Sequence, residues 1–217
     1  MRYDIPLFPL PGLVLFPRTH MKLHIFEGRY RLMMEYVMNH ESRIALCQLC
    51  EGYEADYYNA PRVHRVATAA RFLWADQTDD GRWNVCVEGV ERITIEEEPQ
   101  VTPFRIARAR PLVDRIPAER HHDTIDLMHE VAASAEKLAA RLQCPPRGMT
   151  NLVNTWLHPG IVADVVAAAF VTESYDRQSI LEETNVSRRL GLVNVQLRRL
   201  DHQLATQGSP PDIPARD

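Results

Sequence analysis

The spacing of apolar residues changes period near residue 117, and this change limits the folds open to the chain more than any other feature. Before it, short runs rich in β-branched and aromatic residues are cut by proline and glycine; after it, apolar residues recur every three or four positions. Runs at 4–10, 13–16, 19–26, 43–50, 63–75, 83–88, 92–97 and 104–111 read as strands. Turn chemistry separates them at Pro11-Gly12 and across Gln77-Thr-Asp-Asp-Gly81. Several short strands at this spacing predict a small barrel or sandwich. One helix interrupts the pattern, because Glu27 to His40 places Tyr30, Met33, Met34, Val37 and Met38 on one helical face.

From Pro117 onward, Ile125, Met128, Val131, Ala132, Ala135, Leu138, Ala139 and Leu142 predict one long helix, stopped by Cys144-Pro-Pro-Arg-Gly148. Shorter helices are expected at 149–157, 161–170 and 173–183. Asn185 is placed to cap the last helix. That helix carries Val186, Leu190, Val193, Leu197, Leu200 and Leu204, a stripe lasting fewer than three heptads, so it reads as buried against its neighbours and not as a coiled coil. The expected class is α+β: a β-rich lobe at 1–116, a helical bundle at 117–206, and a tail at 207–217 whose three prolines and lack of an apolar cluster predict disorder.

A chain of 217 residues hides about 70% of its surface on folding, so its core needs neither disulfide nor metal staples. The length does not hold a three-module ATP-driven protease, and no phosphate-cradling loop is present: none of the nine glycines is followed by lysine. Lys22 and Lys137 are the only lysines. The net charge of −4 argues against nucleic acid, and the arginines at 105, 108, 110, 115, 120, 188, 189, 198 and 199 are read as a solvated surface interleaved with acids. No apolar run is long enough to span a bilayer, and an acid and prolines break the N-terminus as a signal peptide. A cytoplasmic address is expected, with Cys47, Cys50, Cys86 and Cys144 as reduced, buried thiols.

No constellation of catalytic residues emerges. Ser134 and Lys137 have the spacing of a Ser-Lys dyad, yet both fall toward the polar side of their helix, where a solvated lysine is no base. Cys47 and Cys50 lie in a strand-like run, where residues three apart face opposite ways, and no second Cys-x-x-Cys accompanies them as a zinc site requires. His20, His24, His121 and His122 lack metalloprotease spacing. No metal, cofactor or catalytic residue is therefore assigned. Tyr53, Tyr57, Tyr58, Trp74 and Trp83 sit in a loop and at strand ends, and exposed aromatics of this kind bury large area at low entropy cost when they grip a polypeptide. They are the expected substrate-binding residues.

Ile5-Pro-Leu-Phe-Pro-Leu-Pro-Gly-Leu-Val-Leu-Phe-Pro17, then His24-Ile-Phe-Glu-Gly-Arg-Tyr30 and Val63-His-Arg-Val-Ala-Thr-Ala-Ala70, resemble the N-terminal domain of Lon proteases. Gly89-Val-Glu-Arg-Ile93 and Asn185-Val-Ser-Arg-Arg-Leu190 fit later blocks, so the resemblance spans about residues 4 to 205. It implies a PUA-like β-barrel lobe with one inserted helix, a helical bundle, and a stand-alone, non-enzymatic role in holding unfolded polypeptide or acting as an adaptor for a protease or chaperone. RNA binding, known for PUA-like barrels, and hydrolysis are the alternatives. Two positions depart from the family pattern: Arg18 and Ala67 stand where glycine is frequent, which is tolerable if φ there is negative. The segment from Tyr53 to Asn59 matches the pattern poorly.

Overall fold

The computed structural model describes residues 2–40, 43–97, 103–142 and 158–207. The helix expected at 149–157, Cys144 and the tail at 208–217 lie outside the described residues. Two compact units are present, divided between Val113 and Asp114.

The first unit contains six strands, β1 (Tyr3–Leu10), β2 (His20–Ile25), β3 (Ile44–Gln48), β4 (Val66–Gln77), β5 (Trp83–Glu97) and β6 (Ile106–Pro111), with helix α1 (Gly28–Asn39) between β2 and β3. β1 runs parallel to β3 and antiparallel to β6. β3 pairs with β4, β4 with β5, and β5 with β6, so the ladder returns on itself through β5–β4–β3–β1–β6. β2 stands outside that circuit, antiparallel to β5 over six unbroken pairs from His20↔Glu88 to Ile25↔Trp83.

Strand alternation sends side chains into two apolar clusters. One combines Phe8, Leu15, Ile25, Val85 and Val87 with Tyr30, Met33, Met34 and Val37 of α1, four of the five residues on the expected helical face; the fifth, Met38, is exposed. Each such buried side chain contributes roughly 1.5–3 kcal/mol. The other is filled by Ile5, Leu7, Ile93 and Ile95 against a set of alanines, Ala45, Ala67, Ala69, Ala107 and Ala109.

Three details correct the sequence reading. Residues 13–16 form no strand. Val14, Leu15 and Phe16 are all buried, and the segment is held by Thr68 Oγ1 donating to the Leu15 carbonyl at 2.6 Å and by Arg18 N–H donating to the Gly89 carbonyl at 2.8 Å. Gly89 is required there: any Cβ would collide with the Phe16 carbonyl. Second, 83–88 and 92–97 are one strand, because the Gly89-Val90 step is an irregularity in register and not a turn; Ala69 pairs with Glu91 while Ala70 pairs with Gly89. Third, Arg18 adopts φ of 64°, so the position that favours glycine in the family keeps the left-handed conformation with a side chain in place. Ala67 lies within β4 and is buried.

The second unit contains α2 (His121–Arg141), α3 (Pro159–Phe170), α4 (Ser174–Glu182) and α5 (Val186–Gln207). α2, α3 and α5 pack against one another. α2 buries Val131, Ala135 and Leu138, the predicted stripe, and carries Asp123 in its first turn and Arg141 in its last, which suits the helix dipole. α3 starts with Pro159 and buries residues around most of its circumference, including Asp164. α5 is capped as expected, with Asn185 Oδ1 accepting from Arg188 N–H at 3.1 Å, and it buries Val186, Leu190, Val193 and Leu197. The arginine reading needs correction. Arg189 is fully buried between Asp114 and Asp164, its Nε 3.7 Å from Asp164 Oδ1. Arg105 is buried as well and donates to the Pro61 carbonyl at 2.8 Å. Both serve the packing of their own unit, which a count of alternating charges in sequence does not reveal.

Candidate functional site

The five predicted aromatics fall into three environments. Tyr53 opens a short 3-10 turn, and Tyr53, Tyr57 and Tyr58 form a chain of rings with centroids 6.0 and 5.2 Å apart. Tyr57 is held in place: its hydroxyl donates to Glu27 Oε1 at 2.7 Å, and the Arg29 guanidinium, itself paired with Glu27 at 3.0 Å, lies 5.1 Å from its ring centre. Burial, and then the bond to Glu27, push the Tyr57 phenol above its ordinary pKa. Tyr58 has no such clamp and is 86% exposed. The loop thus fastens one tyrosine to the start of α1 and leaves its neighbour in solvent.

Trp74 owes its direction to an irregularity in β4. Phe72 pairs with Val87 and packs on the core, so strict alternation would send Trp74 inward too. Leu73 is the extra residue: Trp74 pairs with Cys86, and its side chain is shifted to the opposite face. Residues directly opposite in antiparallel strands share a face, so β2, β5 and β4 present three rows there: His20, Glu88 and Arg71; Lys22, Cys86 and Trp74; His24, Asn84 and Asp76. Trp74 is 41% exposed, and Phe26, 61% exposed, stacks on His24 with centroids 6.2 Å apart. His24 Nδ1 meets Asn84 Oδ1 at 2.8 Å, and Arg71 is neutralised by Glu88 at 2.6 Å. Lys22, His24, Trp74, Asp76 and Asn84 line a shallow concavity on this face. Burial raises the Cys86 thiol above its usual pKa, which keeps it a poor nucleophile.

Trp83 lies on the other face, opposite Ile25 and Gln77, and packs against the apolar cluster under α1. Trp74 and Trp83 therefore do not share a surface. Sequence reasoning did not single out Phe26 or Lys22 and weighed His24 only as a metal ligand; the parity of His20, Lys22 and His24 along one strand was the available signal, and the irregularity at Leu73 concealed the connection to Trp74.

Lys137 is 69% exposed on its side chain, and its ammonium lies 3.7 Å from Asp201. Among the described residues, no group of three or more His, Cys, Asp or Glu side chains is placed to hold a metal ion. Cys47 and Cys86 are buried and Cys50 is partly exposed. Among these residues no helix is long and apolar enough to cross a membrane.

The mixed fold is shared with solved structures. The N-terminal domain of a Mycobacterium avium complex Lon protease superposes with a TM-score of 0.71 at 14% identity, covering 90% of this chain and 98% of that one. A Lon N-terminal domain protein from Xanthomonas campestris gives 0.62 at 20% identity, covering 89% and 98%. Residues 4–199 match the family described as the ATP-dependent protease La (LON) substrate-binding domain, and the chain belongs to that family. Lon protease of Escherichia coli K12 is 28% identical over 191 residues, and that of Desulfosudis oleivorans 25% identical over 200. The chain spans 24% of the length of each of these two relatives, and the match covers 87% and 92% of it.

Proposed function

We propose that the chain is a non-enzymatic polypeptide-binding module that recognises unfolded segments and acts as an adaptor or holdase in cytoplasmic protein quality control, beside a protease or chaperone. The observation that carries this reading is the family match across residues 4–199, to a domain described by substrate binding. Supporting it, Trp74, Phe26, Leu73 and Tyr58 present exposed apolar and aromatic area in the first unit. Tyr53, Tyr58 and Trp74 contact substrate, while Tyr57 and Trp83 hold the surfaces from which they project. The β circuit acts as a PUA-like barrel, with residues 117–206 as a helical bundle behind it in sequence. Exposure of Lys137 and its pairing with Asp201 support a role without a Ser-Lys dyad.

The test is fluorescence anisotropy of one labelled model protein, in native and permanently unfolded forms, titrated with this chain without nucleotide. Preference for the unfolded form, reduced at least fivefold by Trp74→Ala with Tyr58→Ala, is the expected result. Equal binding of both forms, or none, overturns the reading.

A further inference from the structure

β2 is the one strand among the described residues that pairs on a single side. Every other described strand has at least two neighbours, since β6, the other end of the sheet order, also bonds to β5. An unpaired strand edge is a template for another chain, and proteins blunt such edges with prolines, bulges or burial. The six residues of β2 contain no proline, its register with β5 is unbroken, and His20, Lys22 and His24 are exposed; Lys22 is a charge of the kind that blunts an edge against apolar strands, and it leaves the edge open to a strand that brings a carboxylate. The irregularities lie one strand further in, between β4 and β5.

The two faces of β2 specify what fits beside it. On the outer face the central residue is Lys22, flanked by His20 and His24. The second cation of this face, Arg71, is already neutralised by Glu88, and Asp76 lies two strands from the edge. Among the described residues no carboxylate is paired with Lys22, so a carboxylate directly across from it on an incoming strand forms the favourable cross-strand pair. On the inner face Met21 and Leu23 are only partly buried and pack against the apolar cluster, so an added strand with apolar residues at those positions extends the cluster past the present edge. We propose that β2 accepts an extended polypeptide segment as one more strand, selected for an acidic residue opposite Lys22 and apolar residues opposite Met21 and Leu23. The backbone supplies affinity and the alternation supplies selectivity. This rests on the reading that the chain binds polypeptide and names the conformation and pattern it takes.

The test uses the full chain and a labelled peptide with a Val-Glu-Val-Glu-Val centre, its Val-Lys-Val-Lys-Val counterpart, and two forms of the first peptide N-methylated at alternate residues in either phase. The expected result is binding of the acidic peptide, at least tenfold weaker binding of the lysine peptide and of one N-methylated form, and reversal of the charge preference in Lys22→Glu. Zero-length carbodiimide coupling is expected to join the peptide to Lys22 and not to Lys137, the only other lysine. Equal binding of both N-methylated forms, or coupling at Lys137, overturns strand addition. Unfolded protein captured with no effect of Lys22→Glu and no peptide binding overturns the edge proposal while leaving the functional reading intact. N-methyl-sensitive peptide binding without capture of unfolded protein supports the edge and overturns the holdase. Absence of both overturns the two together.

Discussion

The two units solve the same problem, filling an interior, with different chemistry. The β unit packs alkyl and aromatic side chains, and its buried polar contacts include the neutral hydrogen bond from Thr68 to the Leu15 carbonyl and a charged donor, Arg105, on the Pro61 carbonyl. The helical unit places an ion network at its centre, with Arg189 enclosed by Asp114 and Asp164, and Arg177 donating to the Val171 carbonyl at 2.8 Å. A neutral hydrogen bond is worth about 1 kcal/mol, whereas a buried charge stripped of its partner costs several. Removing one partner of the Arg189 pair is thus expected to cost the helical unit more than the loss of a neutral hydrogen bond costs the β unit.

Segment-resolved hydrogen exchange tests this contrast. Arg189→Met, which leaves Asp164 buried without its cation, is expected to destabilise the helical unit by about 3–5 kcal/mol; protection in α3 and α5 that survives the substitution breaks the comparison. Thr68→Val should cost the β unit about 1–3 kcal/mol, since the buried Leu15 carbonyl loses its donor, with a drop in protection across β4 and the 13–18 segment. Asn185→Ala removes the cap of α5 and is expected to lower stability by about 1 kcal/mol, read as faster exchange in its first turn. Arg43→Ala removes a solvent-exposed pair with Glu91 and should lower the unfolding free energy, measured by denaturant titration, by no more than about 0.5 kcal/mol.

The last prediction leaves stability at neutral pH unchanged. Burial raises the phenols of Tyr3, to about 12, and of Tyr30 and Tyr57, all in the β unit. Groups whose folded pKa is raised stabilise fully below their unfolded value, near 10, and lose that contribution as pH climbs through the folded one. Alkaline loosening should therefore begin in the β unit above pH 10. In the helical unit, hydrogen bonds from Asn194 and Arg198 lower the Glu130 carboxyl, so its contribution is present above the ordinary carboxylate value and fades as pH falls through the lowered one. Phenolate absorbance with exchange across pH 3–11 reads both edges; loss of the helical unit first on the alkaline side contradicts the assignment.

Local periodicity carried much of the fold. The buried face of α1, the stripe of α2 and the cap at Asn185 follow from spacing that a single element imposes. What escaped depends on a partner distant in sequence. Residues 13–16 resemble a strand by composition, but Thr68 and Gly89 secure them without a ladder. Trp74 is visible as an aromatic, while its direction is set by one extra residue, Leu73, measured against β5. Arg189 looks like one more surface charge until Asp114, 75 positions away, is brought beside it.

That same contact decides where the molecule can be cut. The helical pattern begins at Pro117, and a recombinant fragment starting there retains every helix of the second unit. It discards Asp114, and with it the residue that meets Arg189, and Arg115, whose N–H donates to the Thr184 carbonyl at 2.9 Å while its own carbonyl accepts from Val186 at 3.0 Å. Such a fragment is expected to express poorly or precipitate, whereas one begun three residues earlier keeps the entrance of α5 tied down. For anyone dividing this chain into separately produced halves, a cut at Pro117 gives up these contacts and a cut before Asp114 keeps them.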